Sequence, residues 1–306
     1  MDVYRNLSEV SASDKSRIVM IGNFDGLHKG HQSLIKTAKN KVDEMGGELM
    51  LLTFEPHPRH LFRPDDPTFR ITPLSLKLDR LQKLEIDAVV CLEFNWDFAS
   101  QSAEEFVQDI LMKGLQADHV VVGEDFCFGQ LRKGTPGLIR ELGLEVTTIR
   151  PEIGTNGEKY SSSTIRQLLR AGKLEEANDL LGWEWEVRGE VKKGDQRGRE
   201  LGYPTANVPL CDTLHPAYGI YACYVQIEGE GKWHPAATNI GIRPMFELQE
   251  GQVEAHILQG FNRDIYGKIL RVKPVKRIRG EAKFDSLEEL CEQMAKDCEE
   301  CLQILT

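Results

Sequence analysis

The sequence predicts two domains of different fold, a parallel α/β sheet followed by an antiparallel β fold that ends in one helix. Three observations carry this reading. From Arg17 to about Leu181, short apolar runs alternate with helix-like stretches, the pattern of a parallel sheet covered on both faces. From Trp185 onward, apolar residues recur with a period near two between Gly, Pro and Asp, as in the strands of an antiparallel barrel or sandwich. The 306 residues also exceed one ordinary domain of about 100–200 residues. The change of pattern is therefore expected to be a domain boundary, separating 1–182 from 183–306.

In the first half the expected strands are Ile18–Ile21, Leu49–Phe54, Ala88–Leu92, His119–Val122 and Glu145–Ile149. The expected helices are Gln32–Glu44, Lys77–Leu84, Ala103–Leu111, Leu138–Leu142, Ser163–Leu169 and Leu174–Leu181. In the second half the strands are expected at Trp185–Val191, Gly219–Ile227, Trp233–Ile240, Val253–Leu258 and Ile269–Ile278. A closing helix follows, where Ser286 and Glu289 fit a capping box ahead of Leu287, Leu290, Met294, Cys298 and Cys301.

Composition narrows the function classes. There are 38 basic side chains against 48 acidic ones, a net charge of −10, so a broad basic surface for a nucleic-acid backbone is not expected. The longest apolar runs fall far short of the roughly 20 residues of a membrane span, and Met1–Lys15 has no apolar signal core. A cytoplasmic protein without nucleic-acid or membrane partners is expected, and a homo-oligomer is left open. The 7 cysteines are scattered, unlike a disulfide framework. Cys298 and Cys301 read as small core hydrophobes of a helix.

The first chemical site begins where Ile18–Ile21 runs into Gly22-Asn23-Phe24-Asp25-Gly26-Leu27-His28-Lys29-Gly30-His31, followed by an amphipathic helix. Glycines allow close approach of backbone to ligand, and a helix start presents free N–H groups to an anion. A phosphate is the natural guest, with His28 and His31 as donors in place of a Walker lysine. His28/His31 and His57/His60 each form an HxxH, but neither has a clear third ligand or the glutamate of HExxH, so zinc is not expected. The HxGH pattern after a strand resembles the nucleotidyltransferase superfamily. The second grip this implies is found in Ser161-Ser162-Ser163-Thr164-Ile165-Arg166, hydroxyls and a guanidinium at a helix start.

The second site lies in Gly198-Arg199-Glu200-Leu201-Gly202-Tyr203-Pro204-Thr205-Ala206-Asn207, where basic residues and glycines suit phosphates and Thr205 and Asn207 offer oxygens to Mg²⁺. In Val253-Glu254-Ala255-His256-Ile257 the alternation puts Glu254 and His256 on one face.

GNFDGLHKGH, TFEPHP (Thr53–Pro58), VGEDFCFG (Val122–Gly129), SSSTIR, GRELGYPTAN, YGIYA (Tyr218–Ala222), NIGIRP and VEAHIL occur in this order. The set resembles the bacterial-type bifunctional riboflavin kinase/FMN adenylyltransferases, or FAD synthetases, across essentially the whole chain. The resemblance implies a Rossmann-like nucleotidyltransferase domain followed by a β-barrel of riboflavin kinase type with a terminal helix. It implies that ATP, with Mg²⁺, phosphorylates riboflavin in the barrel and that the first domain adenylylates the FMN. His28, His31, Arg166 and Glu254 would be catalytic. Gly22, Asn23, Asp25, Gly26, Ser161, Ser162, Ser163, Thr164, Gly198, Thr205 and Asn207 would hold ATP and its phosphates, with Thr205 and Asn207 on Mg²⁺. Phe54, His57, Asp125, Phe126, Phe128 and Arg279 would hold flavin. Two positions depart from the family pattern: Met245 stands where RPTF has its threonine, and Cys127 where the DFxFG segment often has arginine or another polar residue.

Overall fold

The computed structural model describes residues 1–154, 157, 159–194, 201–245 and 248–306, and side chains outside 243–250. The chain forms two compact units, Met1–Asp66 with Thr72–Ser161, and Pro67–Ile71 with Ser162–Thr306.

The first unit contains β1 (Asp2–Tyr4), β2 (Arg17–Ile21), α1 (Lys29–Met45), β3 (Glu48–Glu55), α2 (Pro58–Phe62), α3 (Leu74–Lys83) and β4 (Ala88–Glu93). There follow α4 (Trp96–Ala99), α5 (Ala103–Glu105), β5 (His119–Gly123), α6 (Pro136–Glu141) and β6 (Glu145–Ile149). The strands lie in the order β1-β4-β3-β2-β5-β6, and all pair in parallel. Continuous apolar strands suit this sheet because both faces are covered. Val19, Ile21, Met50, Leu52, Val90 and Val120 face one core, and Ile18, Met20, Leu49, Leu51, Val89 and Val121 face the other.

The short helices α2 and α4 were not expected, and two further features differ from expectation. Asp2–Tyr4, in the polar N-terminal stretch, adds a short edge strand beside β4. The helix expected over Ala103–Leu111 starts as α5, with Ser102 and Glu105 capping each other, then widens into π-helical turns over Phe106–Gly114. The wider winding buries Phe106, Val107, Ile110 and Leu111.

The second unit contains α7 (Ser162–Arg170), α8 (Leu174–Leu181), β7 (Val187–Glu190), β8 (Ala206–Pro209), β9 (Gly219–Ile227), β10 (His234–Met245), β11 (Leu248–Ile257), β12 (Ile269–Arg279) and α9 (Leu287–Leu305). Its antiparallel sheet runs β7-β12-β9-β10-β11-β8. The Lys192 N–H donates to the Asn207 carbonyl at 2.8 Å, so the strand path beyond β7 meets β8 and the sheet nearly closes into a barrel. A fully buried Trp185 anchors the start of this path, its indole N–H donating to the Ile71 carbonyl at 3.0 Å. Strand β8 lies in a stretch the sequence reading treats as loop, because its four residues are too few to show alternation.

Helix α9 is capped as its sequence suggests, the Ser286 hydroxyl accepting from the Glu289 N–H, although the Glu289 carboxylate reaches the Asp285 N–H and not that of Ser286. Its inner face joins Ala222 and Leu258 through the buried Cys301 and Leu305, and the Cys301 thiol donates to the Tyr221 carbonyl at 3.6 Å.

Candidate active sites

In the first unit the chain runs from β2 to β3 on one side and returns to β5 on the other, so the carboxyl end of β2 is a topological switch point, where open α/β sheets bind ligands. Gly22–His28 occupies that end. The turn is tight: Phe24, Gly26 and Leu27 have φ of 47°, 87° and 44°, left-handed values that only glycine adopts without cost. Tertiary bonds to the residues beside Phe24 and Leu27 hold the turn in place. The buried Asp25 carboxylate accepts from the N–H and hydroxyl of Thr72 at 3.0 and 3.2 Å, and the Gly26 N–H donates to the Thr72 hydroxyl at 2.8 Å. The buried Lys77 ammonium donates to the Asn23 carbonyl at 2.7 Å.

His28 is the N-cap of α1, its Nδ1 accepting from the His31 N–H at 3.4 Å. The two imidazoles stack with centroids 3.7 Å apart. His31 Nδ1 is buried without a partner, and burial, then the charges at His28 and Lys77, hold the His31 pKa well below the ordinary 6.5. A neutral imidazole can donate only through the nitrogen that carries its proton, so it is the Nδ1–H tautomer of His31 that would have a donor to offer here. Gly30 makes room for the pair, since a Cβ there would sit 3.2 Å from His28 Nδ1 and 3.3 Å from Tyr160 Cβ.

A cavity of about 960 Å³ opens beside Gly22 and Asn23. Its walls include Phe54, His57, Asp125, Phe126 and Phe128, all flavin residues expected from sequence. Phe126 and Phe128 stack at 5.5 Å. Asp125 pairs with Lys159 at 2.8 Å, which holds its carboxyl below the usual range. Phe62, Phe94, Trp96 and Phe98, outside the set expected from sequence, complete the aromatic wall; Phe62 meets Trp96 edge-on at 5.6 Å. Three aromatics at alternate positions, 94, 96 and 98, were the available signal. The cavity is thus polar at the glycine turn and aromatic beyond it.

Of the expected pyrophosphate loop, Ser161 belongs to the first unit, while Ser162, Ser163, Thr164 and Arg166 belong to the second. The Arg166 guanidinium donates to the Phe69 carbonyl at 2.8 Å and lies 5.3 Å from the Phe69 ring.

In the second unit, register places Asn207 of β8 opposite Glu254 of β11, and Glu254 opposite Asn239 of β10. Side chains directly opposite in an antiparallel pair share a face. Two cavities meet here, with Thr205 lining both. The smaller, about 190 Å³, is lined by Gly194, Asn207, Arg263 and Tyr266 among others. The larger, about 370 Å³, is lined by Tyr203, Ile220, Asn239, Glu254, Arg279 and Phe284 among others. Asn207 keeps its amide oriented by accepting from Gln252 and donating to the Thr205 carbonyl at 3.4 Å. Arg279 is held by Asp297, 5% exposed, through contacts of 2.6–3.1 Å; the pair raises the guanidinium pKa. Asp297, on α9, was not singled out from sequence. Gly198 lies outside the described residues, and the side chain of Met245 outside those described.

A Rossmann-like unit with a histidine-bearing glycine turn at its switch point, joined in one chain to a barrel whose Glu254 lines a cavity, has the architecture of a two-headed transferase. Residues 10–164 match the FAD synthetase family and residues 181–305 the riboflavin kinase family, and the chain belongs to this two-domain family. It is 38% identical over 295 residues to the bifunctional riboflavin kinase/FMN adenylyltransferase of Escherichia coli (strain K12), covering 95% of this chain and 93% of the relative. It is 36% identical over 293 residues to the enzyme of the same name from Bacillus subtilis (strain 168), covering 94% and 92%. A crystal structure described as a macrolide-efflux protein from Streptococcus pneumoniae superposes with a TM-score of 0.84, at 32% identity and 97% coverage of both chains. Among the described residues here, no helix is long and apolar enough to cross a membrane.

Proposed function

We propose that this chain makes FAD from riboflavin in two ATP-dependent steps. The second unit phosphorylates the ribityl 5′-hydroxyl of riboflavin to give FMN, and the adenylyltransferase region then attaches AMP to FMN and releases pyrophosphate. The functional boundary is proposed at 182/183, in line with a kinase-family match that starts at residue 181. The observation that carries the reading is the shape of the first cavity, in which an aromatic chamber meets the glycine turn. A flavin ring fits the chamber while its phosphate lies toward the turn.

In the adenylyl transfer, a phosphate oxygen of FMN attacks the α-phosphorus of ATP and the bond to the β-phosphate breaks. Positioning and charge stabilisation carry such a step. His28 and His31 are assigned to the phosphates, with Gly22, Asn23, Asp25 and Gly26 shaping the turn. Phe54, His57, Asp125, Phe126 and Phe128 are assigned to the flavin. The assignment of Ser161, Ser162, Ser163, Thr164 and Arg166 to pyrophosphate rests on the sequence resemblance, as does that of Gly198 to ATP.

In the kinase, Glu254 orients the 5′-hydroxyl and takes its proton as the γ-phosphoryl group is transferred. Thr205, which lines both cavities, and Asn207, which lines the smaller one, are hard, neutral oxygen donors, a set that would suit Mg²⁺. Mg²⁺ entering with ATP supplies neutralisation of phosphate charge. Arg279 lines the flavin side. A cytoplasmic setting with ATP, riboflavin and FMN as partners, without nucleic acid, fits the net charge of −10.

The test is chromatography of reactions started from riboflavin or from FMN, each with Mg-ATP. FMN followed by FAD from riboflavin supports both steps. FAD only from added FMN removes the kinase, FMN without FAD removes the adenylyltransferase, and no conversion overturns the reading.

A further inference from the structure

We infer that Asn239 is a substrate-binding residue of the kinase, its amide oxygen accepting a hydrogen bond from a secondary hydroxyl of the sugar-alcohol chain. The inference deepens the kinase reading and rests on it.

Registers run on from Asn207 to Glu254, to Asn239, to Ile220 of β9 and to Arg279 of β12. This is a single transverse row on one sheet face. Val253 and Ala255, the neighbours of Glu254, are fully buried on the opposite face. Four members of the row, Glu254, Asn239, Ile220 and Arg279, line the 370 Å³ cavity. The row therefore orders its chemistry: metal-type oxygen, carboxylate, amide, apolar floor, guanidinium.

Asn239 is the member whose chemistry is incomplete. Its Oδ1 is buried and meets no donor, whereas buried polar atoms are ordinarily paired. Leaving an acceptor unpaired is costly, and a cavity-lining position is where an incoming donor repays that cost. The soft χ2 of an amide lets the oxygen turn to the cavity when a donor enters. Its neighbour in the row, Glu254, is also an acceptor, with Cβ atoms of such directly opposed pairs about 5 Å apart. A ligand serving both must carry hydroxyl donors on nearby carbons, one to each. A polyol chain does so, and a lone primary alcohol does not. Asn239 would thus read the chain beside the hydroxyl that Glu254 activates.

The test compares riboflavin with an analogue lacking the 4′-hydroxyl, using the full chain with Mg-ATP. The wild type should phosphorylate riboflavin and lose about 10-fold in kcat/KM on the deoxy analogue, the worth of one hydrogen bond. Asn239→Ala should lose about as much on riboflavin, with KM for ATP unchanged, and show no further loss on the analogue. Asn239→Ser, which keeps a small acceptor, guards against a folding defect and should retain part of the discrimination. Equal discrimination by wild type and Asn239→Ala, or a parallel rise in KM for ATP, overturns the inference. A wild type inactive on riboflavin overturns the kinase reading itself, and is distinguishable because no variant is needed to see it.

Discussion

Asn207 and Glu254 face each other across β8 and β11, which places the proposed magnesium donor beside the proposed base. The residues lie far apart in sequence, and the barrel register alone joins them. Phosphoryl transfer has a loose transition state that depends on positioning and charge neutralisation. Glu254→Gln keeps the shape but removes the proton acceptor. Riboflavin phosphorylation should fall by about 10²–10⁴-fold, while FAD formation from supplied FMN is unchanged. Paired assays on the two flavins check this.

The stacked histidines give a second prediction. Gly30→Ala would push a methyl group within 3.2 Å of His28 Nδ1, displacing a ring that both caps α1 and stacks on His31. Misplacement of a catalytic group by about 1 Å can cost about 10²-fold. The contact requires a shift of only a few tenths of an ångström, so adenylylation should drop by less than that, about 2- to 10-fold, with riboflavin phosphorylation retained. Equal loss of both activities would contradict the assignment.

His31 also predicts a pH dependence. Its folded pKa lies well below 6.5 because burial, then His28 and Lys77, oppose the charged ring. Below the unfolded pKa of about 6.5 the unfolded chain binds the extra proton first. The contribution of His31 to stability is therefore complete above that pH and declines as pH falls toward the folded pKa. His31→Gln should flatten the acid side of the thermal midpoint against pH. A curve parallel to the wild type would remove His31 as a source of acid sensitivity.

Asp297 and Arg279 provide a fourth. Asp297 also accepts from the Gln293 amide at 2.9 Å, so Asp297→Asn strips charge from a network that holds a cavity-lining guanidinium. Breaking a buried pair costs about 3–5 kcal/mol; with the Arg279 side chain 24% exposed, about 1–3 kcal/mol is expected. The thermal midpoint should fall and the KM for riboflavin should rise, with KM for ATP unaffected. Calorimetry and initial rates on the same preparation check both parts.

Elements with a strong local period were legible from sequence. Leu174–Leu181 and Gly219–Ile227 coincide with α8 and β9, because one apolar stripe or one alternating face suffices to define each. The glycine turn was legible for a different reason: Gly22, Gly26, His28 and His31 are adjacent in the chain, so their chemistry is visible together. Phe54, His57, Phe126 and Phe128 came from the family resemblance, and the structure gathers them around one cavity.

The pair of fold classes, the glycine turn and the family were readable from the residues alone, since periodicity, turn residues and contiguous motifs are local properties. Tertiary structure alone decided which distant residues meet. Thr72 and Lys77 secure the strained turn through bonds reaching back to Asp25 and Asn23. Asp297 finds Arg279 from another element, and Asn239 joins Glu254 through register. A one-residue slip in that register would turn Asn239 to the other face. No local pattern encodes such pairings, because they are set by how strands align and how helices pack over them.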